Sequence, residues 1–197
     1  KSTLVQWLAH TIAESGIGDF DVPVVIKLKD YARALVKHPD LTPLEFFFTS
    51  LGRQDLDSLA ASAWLRHVSR DQNRVLLMCD GWDEVPAAQR ANLREQLECE
   101  SDIFVTLITS RPAGLPQSLL DREDVDFYRI GELTHRSMVQ LTKNIFASRR
   151  SEVRRRPREA KQTVARIRAS VELRTLAKTP LFLGQIVHIF ADTELGD

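Results

Sequence analysis

Two kinds of apolar pattern alternate along the chain. VPVVIKL (22–28), NRVLLMCD (73–80), IFVTLITSR (103–111) and VDFYRIG (125–131) are short β-branched or apolar runs, and they read as strands. Between them, apolar residues recur at helical spacing. Residues 4–15 set Leu4, Val5, Leu8, Ala9 and Ile12 along a helix that SGIG ends, and 55–70, 86–98 and 134–146 read as further helices. In DLTPLEFFFTSLG, Thr42 stands before Pro43 with Glu45 three residues on, which predicts a capping box with proline at the first helical position and Gly52 at the close. At least two of Phe46, Phe47 and Phe48 are expected in the core. Strands that alternate with helices, three of them nearly all apolar, predict a parallel sheet covered on both faces.

Beyond residue 147 the pattern changes. Arginines crowd the stretch 149–158, strands stop, 159–178 reads as helix, and Thr179–Pro180 restarts a helix as N-cap and first residue. The expected organisation is an α/β domain over 1–147, a basic linker over 148–157 and the start of a helical subdomain over 158–197. No aromatic residues interleave with the arginines for base stacking, so a solvated linker is the simpler reading of that cluster.

Composition adds mainly exclusions. Lys plus Arg and Asp plus Glu both number 27 in 197 residues, so net charge selects neither nucleic acid nor an anionic membrane as partner. Hydrophobic content of 43% and charged content of 27% are those of an ordinary globular chain. The longest apolar runs fall far short of the roughly 20 residues needed to cross a bilayer. Cys79 and Cys99 offer no disulfide framework, and a thiol inside an apolar strand leads us to expect a reducing cytoplasm. The histidines are scattered without ligand spacing. The opening KST starts inside an element, and the expectation is a fragment of a longer protein.

The candidate chemistry lies at strand ends. VLLMCDGWDEVP runs from a buried-type strand into Asp80, Asp83 and Glu84. Two such charges about 4 Å apart repel by about 1 kcal/mol in water and about 4 kcal/mol at an effective dielectric of 20. A cation would relieve that repulsion. In parallel sheets, ligands gather outside the carboxyl ends of the strands, where both Asp80 and Ser110–Arg111 fall. Lys1-Ser2-Thr3 before an amphipathic helix is what remains of G-x-x-x-x-G-K-[ST] cut ahead of its lysine. In that motif the lysine reaches the β- and γ-phosphates, and the next hydroxyl binds Mg²⁺ opposite a strand-end carboxylate such as Asp80. Asp83 or Glu84 can orient or deprotonate an attacking water. Arg111 can sense a γ-phosphate. Trp82, between the acids, either packs under the site or is core.

Together KST, LLMCDGWDEVP, ITSRPAGLP and LRTLAKTPLFL resemble the NACHT family within the STAND class of P-loop NTPases. VPVVIKLKDYA looks like that family's second strand and turn, and FYRIGELTHRSMVQLTKNIF like its last strand and following helix. The resemblance implies an ASCE-type parallel sheet in the order 5-1-4-3-2, with the first strand and glycine loop missing. It implies ATP or ADP with Mg²⁺ as cofactors. By residue, it implies Lys1, Ser2 and Thr3 as phosphate-binding, Asp80 as the magnesium acid, and Asp83 and Glu84 as hydrolysis acids. Arg111 would be the sensor, and Pro180 would pack on the base. The implied function is a cytoplasmic switch in immune or antiviral defence signalling. It would hydrolyse ATP slowly and self-assemble through the NTPase domain, with effector and sensor domains flanking it. The isolated fragment, lacking the glycine loop, is expected to be inactive. The alternatives are an AAA+-like remodelling ATPase, which the DGxDE spacing argues against, and a degenerate NTPase fold that only scaffolds partners, which has no need of all four site residues.

Overall fold

The computed structural model of the chain describes residues 2–52, 57–72, 74–115, 124–148 and 156–193. They fall into two compact units, Lys1–Asp126 and Phe127–Asp197. The first is α/β. Its elements are α1 (Ser2–Ser15), β1 (Val22–Lys27), α2 (Leu28–Lys37), α3 (Pro43–Ser50), α4 (Ser58–Gln72), β2 (Val75–Asp80), α5 (Arg90–Ser101) and β3 (Val105–Ile108). Short 3₁₀ turns at Trp82–Glu84 and Pro112–Gly114 follow β2 and β3.

The three strands form a parallel sheet in the order β1-β2-β3. Central β2 is buried on both faces, as an interior parallel strand must be. Alternation divides its side chains between two cores. Val75, Leu77 and Cys79 face a cluster that includes Val24, Ile26, Tyr31, Leu65, Leu93 and Leu97, supplied by β1, α2, α4 and α5. Leu76 and Met78 face the other way, against Val5 and Ile12 of α1. Each such side chain contributes about 1.5–3 kcal/mol by leaving water. Burial pushes the Cys79 thiol up to about 12 and raises the Tyr31 phenol as well. Tyr31 donates to the Leu41 carbonyl at 2.7 Å.

The capping box forms as its spacing predicts. Glu45 N donates to Thr42 Oγ1 at 3.3 Å, Thr42 N donates to Glu45 Oε2 at 3.0 Å, and Gly52 ends the segment in the left-handed region at φ +66. Helix α2 escapes the sequence reading, which ends the strand run at Leu28 and takes Lys29–Ala32 as a turn. It follows β1 without a side-chain cap, and Leu28, Tyr31, Ala32 and Leu35 bury one of its faces. Phe46, Phe47 and Phe48 are all partly buried against the core rather than fully inside it. Trp82 is core, 2% exposed.

The second unit is helical: α6 (His135–Ser148), α7 (Arg156–Ala169), α8 (Val171–Ala177) and α9 (Pro180–Thr193). Its core joins Phe146, Ala160, Ile167, Ala177, Leu183, Ile186 and Val187. The single helix expected over 159–178 is two, divided at Ser170, whose Oγ caps α8 by accepting from Leu173 N at 3.2 Å. That hydroxyl also donates to Glu172 at 2.6 Å and holds its carboxyl below the usual range.

Two expectations are corrected. Residues 125–131 form no strand; Phe127, Tyr128 and Ile130 are exposed and no ladder takes them up among the described residues. The division between units falls at Asp126–Phe127 rather than over 147–157, because α6 packs on α7 and α9. The segment before α6 is tied to the same unit, with Leu133 N donating to the Lys178 carbonyl at 2.7 Å and Lys178 Nζ 2.9 Å from Glu132. Residues 149–155 of the arginine cluster lie outside the described residues.

Candidate functional site

Apolar β2 ends at Asp80, and the chain must turn there before α5. Gly81 makes that turn at φ +86, a region that costs an L-residue with a side chain about 1–2 kcal/mol. The 3₁₀ turn that follows buries Trp82 and leaves Asp83 and Glu84 at the sheet edge. Neighbouring β3 ends in register, Cys79 opposite Ile108, so Thr109 stands across from the strand's last carboxylate.

Thr109 is the joint between the two strand ends. Its hydroxyl donates to Asp80 Oδ1 at 2.5 Å and accepts from Gly81 N at 3.0 Å. Its backbone N donates to the Cys79 carbonyl at 2.9 Å, and its carbonyl accepts from Trp82 N at 2.9 Å. Asp80 is therefore oriented by a side chain the sequence reading did not single out. The available signal was the TS that follows the apolar run of β3, but only the strand register tells which residue meets Asp80.

Arg111 is paired with Asp83. Its Nε lies 3.0 Å from Asp83 Oδ2, and its backbone N donates to Asp83 Oδ1 at 2.9 Å. Helix α5 fixes the adjoining backbone, because Arg90 Nε donates to the Val85 carbonyl at 2.9 Å.

These groups surround a cleft of about 210 Å³ lined by Ser2, Asp80, Gly81, Asp83, Glu84 and Arg111. Ser2 opens α1, a 14-residue helix with no acidic residue in its first turn. The free N–H groups and positive dipole end of that helix thus share an edge with the ends of β2 and β3, an arrangement that suits an anion. Three carboxylates against one guanidinium suit a cation at the same place. A ligand that carries both signs, an anion with its metal, satisfies the whole set.

Of the residues singled out from sequence, Ser2, Asp80, Asp83, Glu84 and Arg111 come together. Thr3 is exposed on the first turn of α1 and does not line the cleft. Lys1 lies outside the described residues. Pro180 opens α9 in the helical unit, where proline at a first helical position needs no ligand to explain it. Among the described residues no three His, Cys, Asp or Glu side chains converge to hold a metal ion by themselves. No helix among them is long and apolar enough to cross a membrane. A larger open groove of about 510 Å³ lies on α6, lined by Leu133, Arg136, Ser137, Gln140, Leu141 and Asn144, and it holds no acid. No known family model matches the chain, and no curated protein sequence is significantly similar to it.

Proposed function

We propose that the cleft binds a magnesium-chelated nucleoside triphosphate, and that the chain is the nucleotide-binding core of an ATP-dependent signalling switch of the NACHT kind. One observation carries the reading: Ser2 at a helix N-terminus, the strand-end Asp80 and Arg111 line one cleft. The donor set fits magnesium, which keeps several waters and takes one or two carboxylates plus phosphate oxygens rather than a closed protein cage. Ser2 and Asp80 would hold the ion, with Asp80 fixed by Thr109 through Oδ1. Bound there, Mg²⁺ would supply charge neutralisation along the phosphates. Lys1 is assigned to the phosphates by its motif position. Arg111 reads the terminal phosphate, and the acids after Gly81 serve the attacking water.

Topology supports the same class. Helices α2 to α5 cover the face of Val75 and Leu77, and α1 covers the opposite face. Parallel crossovers are right-handed in about 98% of cases. A strand running into α1 from a longer chain would then lie beyond β3, whose Val105 and Ile108 are 43% and 37% exposed. With that strand added, the sheet would match the 1-4-3-2 part of the order the resemblance implies. Self-assembly, and effector and sensor domains on either side, belong to this reading as proposals.

The test is Mg·ATP binding and turnover by the full-length chain. Asp80→Ala is expected to weaken Mg²⁺-dependent binding or turnover about tenfold or more, the loss of one charge-assisted ligand. Wild-type protein that binds no Mg·ATP would favour a scaffold instead.

A further inference from the structure

We propose that the adjacent acids Asp83 and Glu84 do different work: Asp83 is a positioning residue that holds Arg111, and Glu84 alone is left to direct water. The proposal rests on the nucleotide reading above and divides a role that the motif leaves shared.

Both oxygens of Asp83 are already engaged by the loop after β3. Oδ1 accepts from the backbone N–H of Arg111 at 2.9 Å, and Oδ2 lies 3.0 Å from its Nε. With one oxygen on an amide and the other on a guanidinium, this carboxylate is committed to holding the loop after β3. Its side chain is 13% exposed, whereas that of Arg111 is 77% exposed. One edge of the guanidinium is thus anchored while its two terminal nitrogens have no bond among the described residues. A guanidinium fixed at Nε and at its own backbone is pre-organised to meet an anionic oxygen with less ordering on binding.

Packing keeps the two loops together. A Cβ on Gly114 would come within 2.6 Å of Asp83 Cβ, 3.1 Å of Asp83 Cα and 3.0 Å of Ser110 Oγ. Gly114 N also closes the turn by donating to the Arg111 carbonyl at 2.9 Å. The missing side chain at 114 is what lets the loop lie against Asp83. Glu84, by contrast, is exposed, and its carboxylate has no hydrogen bond or ion pair among the described residues. It borders the same cleft.

The experiment has two arms, both on the full-length chain. In the first, without nucleotide, Asp83→Ala is expected to speed amide exchange at Arg111 about tenfold, while the amides of 75–79 keep wild-type protection and report an intact sheet. Unchanged exchange at Arg111 overturns the clasp whether or not the protein binds nucleotide. In the second arm, Mg·ATP affinity and single-turnover rate are measured for Asp83→Asn, Glu84→Gln, Arg111→Ala and the Asp83→Asn/Arg111→Ala pair. Asp83→Asn and Arg111→Ala should each weaken affinity about tenfold, and the pair should be no worse than the worse single variant. Glu84→Gln should keep affinity and lose about a hundredfold or more in rate. An Asp83→Asn protein that keeps its affinity and loses rate as Glu84→Gln does would overturn the division. A wild-type chain that binds no Mg·ATP would sink the nucleotide reading, and the exchange arm would then judge the clasp alone.

Discussion

The two units spend the same driving force differently. The sheet unit buries an apolar cluster on each face of its parallel sheet, and the other unit buries one among four helices. In the sheet unit the strands run the same way, so every strand delivers its carboxyl end to one edge, and Asp80, Asp83, Glu84 and Arg111 collect there. In the helical unit the polar groups that line its groove all belong to a single helix, α6. The helical unit has the larger hollow, about 510 Å³ against about 210 Å³, yet the smaller one holds the concentrated charge. Parallel topology, more than volume, makes the chemistry.

The sharpest way to break that comparison is to open a cavity in each core. Leu77→Ala in β2 and Leu183→Ala in α9, both residues fully buried, are each expected to cost about 2–5 kcal/mol. Amide exchange should show the loss of protection mainly in the unit that carries the substitution. Equal loss in both units from either change would show that they fold as one, and the comparison would lose its basis.

A smaller effect tests the strand-end joint. Thr109→Val keeps the shape and removes the hydroxyl that Asp80 and Gly81 share. The expected cost is about 1–3 kcal/mol in a denaturant titration, together with weaker Mg²⁺ dependence of nucleotide binding. Unchanged stability and metal dependence would mean that Asp80 needs no such orientation.

The smallest effect vanishes at neutral pH. The Cys79 thiol has its folded value raised from 9.0 to about 12, so above pH 9 the unfolded chain releases a proton that the folded chain keeps. Stability from this group is complete below about 9 and declines as pH rises toward about 12; the raised Tyr31 adds to the decline at its upper end. Cys79→Val should flatten the slope between pH 9 and 10. The same slope in wild type and variant would assign it elsewhere.

Much of the fold is legible because it follows local rules. The capping box at Thr42 and Glu45 needs only neighbours along the chain, and the runs at 22–28, 73–80 and 103–111 show their strand character by composition alone. Helix α2 is less visible, since its first residue, Leu28, reads as part of the run of β1 and only burial of Tyr31, Ala32 and Leu35 shows the helical period. The segment 125–131 misleads for the opposite reason. Its alternation suits a strand, but a strand exists only when a neighbour pairs with it. Among the site residues, Asp80, Asp83, Glu84 and Arg111 are readable as charges placed after apolar strands.

What the sequence determined by itself is therefore periodicity, caps and the kind of charge at each strand end, all properties of residues within a few positions of one another. Only the tertiary structure decided that Thr109 holds Asp80, that Asp83 is spent on Arg111, that Gly114 must lack a side chain, and that α6 belongs with α7 and α9. Those depend on strand register and helix packing between segments some 30 residues apart. Contacts of that range are fixed by how whole faces bury together, and no local pattern encodes them.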